Sequence, residues 1–399
     1  MAPQSPFPPT HSTQGTEPTK QTEQTKQTRK EVAMAVPQKI HTWQMVRPRI
    51  KDRETGAVTE GGLEMVEMPV PDLQVGESLV QVAGCGVCHT DLGYFYDGVP
   101  TVQKPPLTLG HEISGTVIAG DLLGKKVIVP AVMPCNKCPI CEAGRGNRCL
   151  AQKMPGNSLG PYGGFSSHIV VPSQDLCVIE DTKGLPLSHY AVVADAVTTP
   201  YQAAMRAEIK GGDLAVVIGA TGGVGVYMTQ MVKALGARFV LAVARSQEKL
   251  ERSLKYGADA IISSKDKDAK AVQNEFREIC KAHGLPHNWG WKIFEVTGTK
   301  EGQEIGLTLL SFVGKLVVVG FGTARNEYSI SRLMAFDAEI IGTWGCLPKY
   351  YPVVLDMVQR GALQIEPFLE TRPMSTIREA FEEAHSGRLM RRIVLEPDF

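Results

Sequence analysis

Residues 214–237 read LAVVIGATGGVGVYMTQMVKALGA. An apolar run comes first, then a turn of small residues, then apolar residues at helical spacing. The pattern is a buried strand, a glycine-rich turn and a helix, the context that a dinucleotide-binding turn requires. Small residues let the backbone approach a pyrophosphate, and the helix N-terminus favours its negative charge. Gly222, Gly223, Val224 and Gly225 fit this role. The first glycine of the usual pattern falls at Ala220, with Gly219 before it.

Downstream, ARFVLAVAR (237–245) reads as the next strand and SQEKLERSLKYGA (246–258) as the next helix. Further strands follow at WKIFEVTG, KLVVVGFG and AEIIGTW. Buried strands alternating with helices predict an α/β fold with a doubly wound parallel sheet, a Rossmann domain over 201–344. An acidic residue about 20 residues past the glycines normally bonds the ribose 2′-OH of NAD. Here Ala244 occupies that place and Arg245 follows. In one reading Arg245 pairs with a 2′-phosphate and the cofactor is NADP. In the other Arg245 is solvated and NAD is held by other contacts.

Upstream the texture differs. SLVQVAGCGV, ISGTVIAG, KVIVPAV and SSHIVVP are short strand-like runs broken by Gly and Pro. They predict a mostly β domain over 37–200, with a cysteine lobe at about 133–150. Residues 345–399 return to mixed character and end in a strand-like RRIVLEP. Residues 1–36 are rich in Pro, Thr, Gln and Lys and poor in large apolar residues, so they are expected to be disordered.

The 399 residues are 43% hydrophobic and 21% charged, with formal net charge zero. Such a chain offers no electrostatic footprint for nucleic acid. No run approaches the ~20 apolar residues of a membrane helix, and the N-terminus lacks the apolar core of a secretory signal. A cytoplasmic location is expected, where clustered cysteines more often hold metal than form disulfides.

Four of the nine cysteines cluster in PCNKCPICEAGRGNRC (134–149). Cys135, Cys138, Cys141 and Cys149 space as C-x2-C-x2-C-x7-C. Four thiolates on one loop, with no open position, describe a structural zinc site. A ferredoxin-type cluster needs a last gap of three followed by Pro; here the gap is seven and Leu150 follows. A reactive centre is therefore sought elsewhere. GCGVCHTD (84–91) carries Cys88, His89, Thr90 and Asp91, and LGHEISG (109–115) carries His111 and Glu112. A catalytic zinc takes three protein ligands and keeps one position open. Cys88 and His111 are two candidates; spacing does not reveal the third.

GCGVCHTD, GHEISG, the four-cysteine lobe and the glycine-rich turn occur in that order. The chain, over roughly 40–399, resembles the zinc-dependent medium-chain alcohol dehydrogenases. The resemblance implies a GroES-like, mostly β catalytic domain beside the Rossmann domain, two zinc ions per chain, NAD and a dimer or tetramer. It implies that the third ligand is Asp195, in ADAVTTPYQAAM (194–205), where a helix N-cap is the alternative role. Glu112 then stands as a nearby or exchanging fourth ligand, and Asp91 as the carboxylate that orients His111. Thr90 matches the hydroxyl that accepts the alcohol proton. The relay histidine found three residues later in some members is Gly93 here, which leaves His89 as a candidate for the exit route. Four further stretches, 101–115, 144–168, 291–304 and 334–352, resemble the branch of this family that oxidises a ring hydroxyl beside an enoyl thioester of coenzyme A. That branch belongs to anaerobic benzoyl-CoA degradation. The alternatives are a general NAD(P)-dependent secondary-alcohol dehydrogenase and a non-catalytic zinc- and nucleotide-binding sensor or scaffold.

Overall fold

The computed structural model describes residues 36–52 and 54–399. The disorder expected of 1–36 lies, apart from Val36, outside the described residues.

The sequence Leu214–Ile218 forms a strand with every residue buried. Its side chains alternate between two cores. Val216 and Ile218 join Leu241, Val243, Ile293 and Leu316 on one face, while Ala215 and Val217 join Val240, Ala242, Phe294 and Val317 on the other. Burial on both faces is what a parallel sheet covered by helices demands, and each such aliphatic side chain contributes about 1.5–3 kcal/mol. The sheet has six parallel strands in the spatial order 260–263, 239–244, 214–218, 291–295, 315–318, 339–342. In chain order this is 3-2-1-4-5-6, with the topological switch point between Leu214–Ile218 and Trp291–Glu295. The strand Ala260–Ser263 and the helix Ala269–Ala282 are elements the strand–helix alternation above did not delimit.

A second sheet, of seven strands, is built mainly from 77–179. Its central path runs Cys177–Ile179, Lys126–Val129, Glu112–Gly120, Glu77–Gly86, Arg392–Glu396, Leu369–Pro373, and His168–Pro172 pairs alongside Glu77–Gly86. The strand Arg392–Glu396 contains the predicted RRIVLEP segment. It inserts beside Glu77–Gly86 through Val394 opposite Gly86 and Leu395 opposite Cys85. The chain end thus completes the sheet that its first half began. One hydrophobic core joins Ile128, Cys177 and Ile179 of this sheet to Ala203, Met228 and Val354 on the helices Thr198–Ala207, Gly225–Ala234 and Tyr351–Gln359. No helix among the described residues is long and apolar enough to cross a membrane.

Candidate active site

Two clusters of possible metal ligands form among the described residues. In each, one ligand atom per residue lies within 4.8 Å of all the others.

The first is Cys135, Cys138, Cys141 and Cys149. The short helix Pro139–Glu142 begins with a proline, and the turn Gly146–Arg148 brings Cys149 back to it. Sγ of Cys138 lies 3.5 Å from that of Cys141 and 3.8 Å from that of Cys149. Zinc–sulfur bonds of about 2.3 Å place tetrahedral sulfurs about 3.8 Å apart, so the set fits zinc. The backbone amides of Leu150 and Cys141 hold the Cys138 thiol down to about 6, ready to ligate as a thiolate. The amides of Cys135 and Ala151 both donate to Cys149 Sγ at 3.3 Å. The lobe leans on a distant segment: Asn147 Nδ2 donates to the Trp344 carbonyl at 2.8 Å, and Arg148 stacks over the Trp344 ring at 4.9 Å.

The second cluster is Cys88, His111, Glu112 and Asp195. Cys88 caps the helix His89–Tyr96. Asp91 Oδ2 accepts from the Cys88 amide at 3.2 Å, while Oδ1 accepts from the Gly110 amide at 3.0 Å and lies 3.3 Å from His111 Nδ1. One buried carboxylate therefore ties the two ligand-bearing segments together. With Nδ1–H donating to Asp91, Nε2 of His111 faces the cluster as a lone pair. Nε2 is buried, has no hydrogen-bond partner among the described residues, and lies 3.5 Å from Asp195 Oδ2. A buried nitrogen without a partner is costly in a cavity and satisfied by a cation. A thiol, an imidazole nitrogen and a carboxylate around one point are a zinc donor set.

Asp195 sits in a turn before the helix Thr198–Ala207, whose N-cap is Val197. Its carboxylate accepts from the Thr199 hydroxyl at 2.5 Å. Burial works against its ionisation, while the Thr199 hydroxyl and the Arg392 charge favour the carboxylate. Tyr351, from the distant helix Tyr351–Gln359, fixes this turn by donating to the Ala194 carbonyl at 2.5 Å.

Glu112 is fully buried and its two oxygens are both engaged. Arg392 Nε donates to Oε2 at 2.8 Å, and Nη2 donates to Oε1. Burial pushes the Glu112 carboxyl up to about 7, with the guanidinium pulling the other way. Arg392 also reaches the glycine-rich turn, because a Cβ at Gly223 would collide with its Nη1. Nothing near Arg392 in the sequence signals this role; only the fold brings it to residues 112 and 223.

The glycine-rich turn closes at the C-terminal end of Leu214–Ile218, on the switch point. Gly222 donates to the Gly219 carbonyl at 2.9 Å, and a Cβ at Gly225 would overlap that same oxygen. Gly222 and Gly223 are exposed, Val224 is half-buried, and the helix starts at Gly225. Exposed backbone amides at a helix N-terminus suit a pyrophosphate. Arg245 follows the strand Phe239–Ala244, is exposed, and makes no ion pair among the described residues.

Thr90 stands on the first turn of the Cys88-capped helix, its Oγ1 3.7 Å from Cys88 Sγ. His89 beside it is exposed, and no hydrogen bond joins the two side chains among the described residues. One turn beyond Thr90, Tyr94 is buried and accepts from Asn157 Nδ2 at 2.7 Å. Burial pushes its phenol up to about 12.

Comparison with known proteins yields two family models. An alcohol dehydrogenase GroES-like domain matches residues 74–181, and a zinc-binding dehydrogenase domain matches 223–360. Together they cover more than half of the chain. An NAD-dependent alcohol dehydrogenase of Sulfolobus acidocaldarius is 28% identical over 84% of this chain and 96% of its own length. A D-arabinose 1-dehydrogenase (NADP(+)) of Saccharolobus solfataricus is 29% identical over 84% of this chain and 94% of its own. The crystal structure of an alcohol dehydrogenase from Thermotoga maritima superposes with a TM-score of 0.77 at 22% identity, covering 90% of this chain and all of that one. The structural likeness shows a shared fold.

Proposed function

We infer the reaction from one premise: the chain belongs to the zinc-dependent medium-chain alcohol dehydrogenase family and is an oxidoreductase acting on CH–OH groups with NAD(P). The observation that carries the site is the unpartnered Nε2 of His111, buried between Asp195 and the thiol of Cys88 and held in its tautomer by Asp91. Cys88, His111 and Asp195 would hold the catalytic zinc, with Glu112 behind them, and the four cysteines of the lobe would hold a structural one. In this reading residues 37–200 and 345–399 form the catalytic domain and 201–344 the nucleotide domain.

A zinc ion held there supplies a Lewis acid for the alcohol oxygen, and NAD supplies the hydride acceptor. NAD bound there would be the acceptor for the hydride, with both its electrons, that the carbinol carbon gives up. The hydroxyl proton passes to Thr90 Oγ1 and on to solvent, and a C=O bond forms. Gly219, Gly222, Gly223, Val224 and Gly225 seat the pyrophosphate. Arg392, anchored on Glu112, presents its guanidinium to the same turn.

The substrate in this reading is 6-hydroxycyclohex-1-ene-1-carbonyl-CoA, oxidised to the 6-oxo compound with NAD by a dimer or tetramer. What supports it is the resemblance of 101–115, 144–168, 291–304 and 334–352 to that branch. A general secondary-alcohol dehydrogenase is the second reading, favoured by the alcohol and sugar dehydrogenases among the relatives. Nicotinamide absorbance with the thioester and with simple cyclic alcohols, each with NAD and NADP, separates them. Oxidation of the thioester with NAD upholds the first. Silence with the thioester while simple alcohols react leaves the second.

A further inference from the structure

A cavity of 670 Å³ opens beside the helix His89–Tyr96. Its apolar lining includes Met45, Tyr94 and Val99, and its cations are Arg49, Lys51 and Lys104. Tyr94 is four residues from Thr90 on one helix, so the two side chains share a face about 5–6 Å apart. The cavity wall therefore continues from the face that carries the proton-accepting hydroxyl. Asn157 braces it: besides donating to Tyr94, it accepts from the Val102 amide through Oδ1 at 2.8 Å, and its carbonyl accepts from the Gln103 amide at 2.8 Å. The segments 101–115 and 144–168, far apart in sequence, meet here.

The charges of the cavity are unbalanced. Lys51 and Lys104 are exposed and form no ion pair among the described residues. Arg49 lies 3.6 Å from the exposed Glu60, and the acidic lining residue Asp97 is taken up by His385 at 3.3 Å. By contrast Arg148 of the cysteine lobe is committed to Trp344.

We propose that this cavity binds the phosphorylated nucleotide end of an acyl thioester substrate, with Arg49, Lys51 and Lys104 meeting its phosphates. A cavity that combines an apolar wall with several cations matches a ligand that carries an apolar ring at one end and di- and monophosphate groups at the other. The inference rests on the thioester reading above and gives that substrate a site.

Calorimetric titration of the zinc-loaded full chain with desulfo-coenzyme A tests it, with saturating NAD present to fill the glycine-rich turn. Arg49→Glu/Lys104→Glu should weaken binding about tenfold or more. Lys270→Glu/Lys281→Glu, an equal charge change on a distant helix, should leave it within about twofold. Zinc content and Tm of both variants confirm that each is folded. Equal affinity in all three chains, or no binding to the unaltered chain, overturns the proposal. So does equal displacement by inorganic phosphate, which would mark a simple anion site. Thioester turnover with the same KM in every chain overturns the cavity while sparing the thioester reading. Desulfo-coenzyme A binding that the double reversal abolishes, without any thioester turnover, upholds the cavity and overturns that reading.

Discussion

Arg392 and Glu112 form a buried two-point ion pair across 280 residues of sequence. The arginine side chain is 7% exposed and the glutamate fully buried. Removing one partner strands the other charge in a low-dielectric site, which costs about 3–5 kcal/mol. Arg392→Ala is expected to lower the urea midpoint accordingly and to weaken NAD binding, because the guanidinium also faces Gly223. Arg392→Lys should recover only part of either property, since a lysine lacks the planar fork.

Asp91 holds Cys88, Gly110 and His111 with one carboxylate. Asp91→Asn keeps an acceptor but loses the charge that strengthens His111 as a ligand. Zinc affinity at that centre should fall about 10–100-fold in a chelator competition, with the lobe's zinc unaffected.

Asp195→Ala removes a proposed zinc ligand and the acceptor of the Thr199 hydroxyl. Elemental analysis should show metal content reduced by about half, the lobe retaining its share. Turnover should fall by at least about a hundredfold, the Lewis-acid contribution being several kcal/mol.

Cys138→Ser opens the lobe. Its sulfur lies within 3.8 Å of two others, so a single loss leaves three thiolates with an incomplete shell. Tm should drop by roughly 5–10 °C. Because Asn147 and Arg148 lean on Trp344, the 339–346 segment should lose hydrogen-exchange protection with it.

Arg245 is exposed, and forms no ion pair among the described residues, at the end of the strand that normally carries the ribose-reading acid. Arg245→Ala should lower kcat/KM with NADP about tenfold and leave the NAD value within about twofold. An equal loss with both cofactors would remove any role in reading the 2′ position.

What was legible in the chain was local. The glycine-rich turn announces itself because Gly225 must sit against the Gly219 carbonyl, a constraint spanning seven residues. The cysteine lobe is equally compact. Arg392 was not legible, since its two neighbours lie far away in sequence, Glu112 on another strand and Gly223 in the glycine-rich turn, and an Arg beside another Arg looks like solvent-facing charge. Tyr351 was hidden likewise: its contact with Ala194 exists only once the helix Tyr351–Gln359 has packed. The helix Ala269–Ala282 carries its signal in Val272, Phe276 and Cys280, but the strand before it has a single fully buried side chain, Ile262, too little to mark a strand alone. The cavity at Arg49 and Lys104 depends on three segments converging.

The insertion of Arg392–Glu396 beside Glu77–Gly86 has a consequence for biosynthesis. Everything between them, including the whole six-stranded sheet, is translated first. The nucleotide-binding half can close while its ribosome is still working, but in the earlier sheet the Cys85–Gly86 end of one flank, beyond the stretch that His168–Pro172 pairs, stays bare until 392–396 have been made. During that interval Glu112 has no guanidinium.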